Sequence, residues 1–140
     1  MNLSIRNRFD ATIDSVTSGP AMTTVKARLA TGQEMTSVIT SEAATELGLA
    51  AGTPVQLLIK ATEVSVAIDA PGRVSIRNLL RGTLTAIDNG EVMTTLKVQL
   101  PDGDVLTAVI TRESTEDLEL TTGMAVTAMV KSTDVAVATG

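Results

Sequence analysis

Ser4-Ile5-Arg6-Asn7 returns unchanged as Ser75-Ile76-Arg77-Asn78, after a shift of 71 residues. The same shift aligns the rest of the chain without a gap. Met22-Thr23-Thr24 returns as Met93-Thr94-Thr95, and Val38-Ile39-Thr40 as Val109-Ile110-Thr111. Leu47, Leu49 and Gly52 return as Leu118, Leu120 and Gly123; Lys60, Thr62, Val64 and Val66 return as Lys131, Thr133, Val135 and Val137. The chain is therefore a duplicated unit. The period is too long for a solenoid repeat, so each copy is expected to be a small domain: residues 1–69, then 74–140, with 70–73 as a linker (Ala70-Pro71-Gly72-Arg73).

Within a copy the hydrophobic period is two. Thr23, Val25, Ala27 and Leu29 alternate with Thr24, Lys26 and Arg28, and Leu96, Val98 and Leu100 alternate with Lys97 and Gln99. This is the pattern of half-buried strands. Gly19-Pro20 and Asn89-Gly90 signal turns before these strands; Ala30-Thr31-Gly32 and Pro101-Asp102-Gly103 signal turns after them. A third strand is expected near 34–40 and 105–111. A short helix follows, capped by Thr40 or Ser41 in one copy and Thr111 in the other, with Glu42 and Glu113 suited to the first turn. Two more strands lie around Val55–Lys60 and Glu63–Val66. The order β-β-β-α-β-β predicts a mainly β protein made of two tandem OB-type five-stranded barrels, each with one short helix between strands 3 and 4. Barrels this small bury little surface alone. Oligomerisation is the expected remedy, and strand sharing between copies is compatible with the pattern.

Composition excludes much chemistry. The 140 residues include no Cys, His, Trp or Tyr and a single Phe, Phe9. Thiol nucleophiles, His-based triads and Cys/His metal sites are thereby excluded. A net charge of −5 and one aromatic argue against a nucleic-acid partner, which would want cations and stacking platforms. No apolar run is long enough to span a bilayer. Met1–Arg6 has no signal-peptide core, so the expected localisation is cytoplasmic. Asp88, Asp102 and Asp104 lack calcium-loop spacing, and no phosphate-binding glycine loop is present. No nucleophile or repeating acid/base pair supports an enzyme.

The polar residues kept in both copies offer donors. Ser4, Arg6 and Asn7 (Ser75, Arg77 and Asn78) combine hydroxyl, guanidinium and amide, a set suited to a tetrahedral oxyanion. Lys60 and Lys131 end the fourth strand, which in this barrel closes onto the first. Thr40 and Thr111 stand where a strand meets a helix N-terminus, a place for anions. The alternative reading of each stays open: a surface ion pair for Arg6, a turn cap for Asn7, a solvated Lys60, an ordinary cap for Thr40. An interaction domain without a ligand of its own is also compatible with the pattern.

Ser-Ile-Arg-Asn resembles the Ser-Ala-Arg-Asn signature of Mop domains. Val109–Ser114, Glu116–Gly123 and Val130–Val135 are similar to the remainder of that signature. Two such units cover the chain, as in the tandem-Mop molbindins, which are cytoplasmic molybdate- and tungstate-binding proteins. The resemblance implies storage or buffering of molybdate, no catalytic cofactor, and molybdenum only as the bound oxyanion. It implies a homotrimer with sites between subunits. One protomer would supply Ser4 and Arg6, or Ser75 and Arg77. A neighbouring domain would supply Thr40, Lys60 and Ala61, or Thr111, Ser114, Lys131 and Ser132. Ala43 and Ala61 stand where the second copy has Ser114 and Ser132, so either the first copy uses more backbone N–H donors or the two copies' sites differ in affinity.

Overall fold

The computed structural model describes residues 2–140. The first copy forms β1 (Asn7–Ser18), β2 (Met22–Leu29), β3 (Glu34–Thr40), α1 (Ser41–Glu46), β4 (Pro54–Ile59) and β5 (Ser65–Ala67). The second repeats it as β6 (Asn78–Asn89), β7 (Met93–Gln99), β8 (Val105–Thr111), α2 (Arg112–Asp117), β9 (Ala125–Val130) and β10 (Ala136–Ala138). A single 3-10 turn, at 61–63 and again at 132–134, separates the last two strands of each copy.

The strands form two five-stranded antiparallel sheets in the orders β10-β4-β1-β2-β3 and β5-β9-β6-β7-β8. Each sheet takes four strands from one copy and its last strand from the other. The exchange has a local cause. Lys60 leaves β4 in extended conformation, one 3-10 turn follows, and Val64 is extended again. With extended residues on both sides of the 3-10 turn, the chain runs onward instead of folding back beside β4. β5 accordingly pairs with β9 (Val66 opposite Ala128), while β10 returns to pair with β4 (Val137 opposite Leu57).

Alternation supplies the core. Phe9, Ala11 and Ile13 of β1, Val25, Ala27 and Leu29 of β2, and Leu57 and Ile59 of β4 point inward, as do Leu84, Leu96 and Val98 in the other sheet. The two sets belong to one continuous apolar cluster. Val64 and Val135, on the crossing segments, are both buried in it. Burial of each such side chain contributes about 1.5–3 kcal/mol. The crossing is also hydrogen-bonded: the Ser37 hydroxyl donates to the Val135 carbonyl at 2.6 Å. A bulge between Ile13 and Ser15, repeated between Leu84 and Ala86, bends the long first strand of each sheet.

Candidate functional site

Thr40 ends β3 in extended conformation, and its Oγ1 accepts the Ala43 amide of α1 at 3.2 Å. Thr111 does the same for Ser114 at 3.1 Å. A side-chain oxygen at this position satisfies one of the unpaired amides of the first turn. The hydroxyl hydrogens differ between copies. Thr111 also bonds the Ser114 hydroxyl at 2.8 Å, whereas Ala43 gives Thr40 no such partner.

Thr40 and Lys60 line one cavity of about 470 Å³, together with Ile5, Ala43 and Glu63 of the first copy and Thr133–Ala136 of the second. β1 lies beside β4, with Asn7 opposite Ile59, so the Ser4-Ile5-Arg6 segment reaches the Lys60 end of the cavity. The strand exchange completes the wall from the second copy. Lys60 and Lys131 are exposed, and among the described residues neither has a carboxylate within ion-pair distance. Each precedes a 3-10 turn that no side chain caps, begun by Ala61 or Ser132. The ammonium and the neighbouring amides are donors, with the Glu63 or Asp134 carboxylate on the same turn.

Arg6 and Arg77 are placed alike. Arg6 donates from Nε to the Ser4 carbonyl at 3.2 Å and from Nη2 to the Leu3 carbonyl at 2.7 Å. Arg77 bonds the Ser75 and Val74 carbonyls at the same two distances. The guanidinium thus fixes the hooked backbone that presents Ser4 or Ser75, while its remaining N–H groups face solvent.

Asn7 and Asn78 have another part. Both are buried, and their amides grip the other copy's third strand. Asn7 Nδ2 donates to the Thr107 carbonyl at 2.8 Å and Oδ1 accepts the Thr107 amide at 2.7 Å. Asn78 makes the same pair with Thr36 at 2.8 Å each way. These side chains join the two sheets and are not presented to the cavity as anion donors.

Two charged cavity residues were not among those singled out from the sequence, Glu63 and Asp134. Both are acidic and occupy the same place in each copy, which is the signal that could have drawn attention to them. Among the described residues no cluster of His, Cys, Asp and Glu is arranged to hold a metal ion. Among the described residues no helix is long and apolar enough to cross a membrane.

A mainly β chain of two repeated five-stranded units, with a cavity at their crossing that holds Thr40, Lys60, Glu63 and Asp134, has the architecture of an OB-type tandem. The chain belongs to the TOBE domain family, which it matches twice, over residues 3–66 and 74–137. It is 40% identical over 139 residues to the molybdenum-pterin-binding protein MopA of Rhodobacter capsulatus, covering 99% of this chain and 52% of that protein. It therefore spans about half the length of the curated relatives it matches from end to end. Molybdenum-pterin-binding protein 3 of Clostridium pasteurianum is 39% identical over 62 residues, 44% of this chain and 91% of that one, so a single copy corresponds to nearly a whole relative. Among solved structures, the cytoplasmic molybdate-binding protein ModG with molybdate bound superposes with a TM-score of 0.97 at 32% identity, over all of both chains.

Proposed function

We propose that this chain binds molybdate, and tungstate with it, as a non-enzymatic reserve in the cytoplasm. The observation that carries the reading is the open cavity in which Thr40 and Lys60 meet, next to the 3-10 turn that follows Lys60. The full-length likeness to a molybdate-bound protein supports it. In this reading Ser4 and Arg6, or Ser75 and Arg77, face Thr40, Lys60 and Ala61, or Thr111, Ser114, Lys131 and Ser132, across the subunit interfaces of a homotrimer. The exposed Met22 and Met93, paired with Thr40 and Thr111 on neighbouring strands, border these sites and would pack against the next subunit.

The donor set favours a fully deprotonated dianion, which brings four acceptor oxygens and no proton. A protonated oxyanion would turn a donor toward a donor, at a cost in free energy. Glu63 and Asp134, which share the cavity wall, repel a dianion and oppose the Lys60 ammonium there. Sulfate carries the same charge and is separated from molybdate by size. Titration calorimetry with molybdate, tungstate and sulfate tests the reading: heat from the first two and little from sulfate is expected, and equal heats or none from all three would sink it.

A further inference from the structure

The two copies commit one hydroxyl hydrogen differently. Thr40 Oγ1 accepts the Ala43 amide at 3.2 Å, and among the described residues its own hydrogen has no acceptor. Thr111 Oγ1 accepts the Ser114 amide at 3.1 Å and donates to the Ser114 hydroxyl at 2.8 Å. A threonine hydroxyl has one hydrogen, so that of Thr111 is already spent. The free hydrogen of the second copy is on Ser114 Oγ, which donates to no described residue. Ala43 lines the cavity beside Thr40 and Lys60. Ser114 holds the corresponding place in the repeat and is exposed.

We propose, resting on the molybdate reading above, that Ser114 and not Thr111 gives the hydroxyl hydrogen to the ligand in the second copy, whereas Thr40 gives it in the first. The second copy's sites then fill first. The Ser114 oxygen accepts from Thr111, and a hydroxyl that accepts while it donates is polarised into a stronger donor. The reciprocal pair, amide to Thr111 and Thr111 to hydroxyl, also fixes the Ser114 side chain before the ligand arrives, so little rotamer freedom is lost on binding. The Thr40 hydroxyl has no second hydroxyl behind it, because Ala43 supplies none. The chain thus holds its reserve in two tiers, half of the sites loading at lower molybdate than the other half.

Equilibrium dialysis of the full-length assembled protein against graded molybdate reads both tiers. Ser114→Ala should raise the molybdate needed to fill the tighter half about threefold or more, the scale of one strengthened hydrogen bond. The loss stops there because Thr111 regains a free hydrogen. Ser114→Thr, which keeps the hydroxyl, should recover most of it. Ala43→Ser should tighten the looser half by a similar factor. Ser114→Ala and Ala43→Ser each install the residue that the other copy already carries at that place. Ser132 and Ala61, the other difference between the copies, stay unchanged in every variant, so the shifts report the hydroxyl alone. Lys131→Ala should act on the tighter half and Lys60→Ala on the looser, which assigns the tiers. A single class of site in the unaltered protein, a Ser114→Ala curve that matches it, or weaker binding by Ala43→Ser would each overturn this proposal and leave the molybdate reading standing. No molybdate retained by any form would overturn both.

Discussion

The Asn7 side-chain amide holds the main chain of Thr107, one hundred residues further on, by a donated and an accepted hydrogen bond of 2.8 and 2.7 Å. A primary amide placed so reproduces a strand neighbour's N–H and C=O, and it ties β1 of one sheet to β8 of the other. With its copy, Asn78 on Thr36, it locks the sheets at two related points. Asn7→Ala leaves both Thr107 groups unpaired in a buried place. A loss of about 2–4 kcal/mol is expected in urea unfolding, with molybdate affinity of the folded fraction unchanged. A fall in affinity without a fall in stability would return Asn7 to the donor set.

Removal of an exposed ammonium should separate binding from folding. Lys60→Ala and Lys131→Ala are expected to lower molybdate affinity about tenfold or more, a charge-assisted hydrogen bond to the ligand being lost. The melting temperature without ligand should stay within about 2 °C, because an exposed charge without a partner contributes little to stability. Calorimetry and a thermal melt on the same samples give both readings.

The carboxylates of the cavity act in the opposite sense. Glu63→Gln removes a negative charge from the wall of the cavity proposed to hold a dianion. Molybdate affinity should rise a few-fold, on the order of 1 kcal/mol for one charge at several ångströms near solvent, and the gain should shrink in high salt. Weaker binding would mean that Glu63 positions Lys60 and does not merely repel the ligand.

Glu119 sits at φ 51°, the position after α2 that Gly48, at φ 63°, fills after α1. A side chain in the left-handed region costs about 1–2 kcal/mol, and glycine is free of that cost. Glu119→Gly is therefore expected to stabilise the protein by up to about 1 kcal/mol after glycine's own chain entropy is counted, and Gly48→Ala to destabilise it. Urea midpoints at constant slope are the measurement.

Much of this architecture was legible in the residues. The repeat set the number of units, and alternation such as Thr23-x-Val25-x-Ala27-x-Leu29 set strands and inward faces, because a period of two leaves one choice of face. A cap at Thr40 or Ser41, and at Thr111, was legible from the acidic first turn that follows, and the structure assigns it to Thr40 in the first copy. Strand partners were harder. Val64 and Val66 read as a strand in either sheet, since burial is the same whether β5 lies beside β4 or β9. The deciding feature is the conformation of the link, extended on either side of a 3-10 turn, which no alternation encodes. Asn7 was visible as a repeated polar residue, but its role depends on Thr107, too distant in sequence for any local pattern. Glu63 was hidden for the same reason, since the cavity wall it shares with Asp134 exists only once the segments have crossed.

The central claim is that molybdate is held between subunits. Native mass spectrometry of protein purified from molybdate-containing medium, with elemental analysis of the same sample, tests it most directly. Three chains of 14.5 kDa give about 43 kDa, and the account predicts that trimer, carrying molybdenum, with the metal lost when dilution or acid dissociates the assembly. A stable monomer that retains the same number of molybdate ions per chain would contradict it.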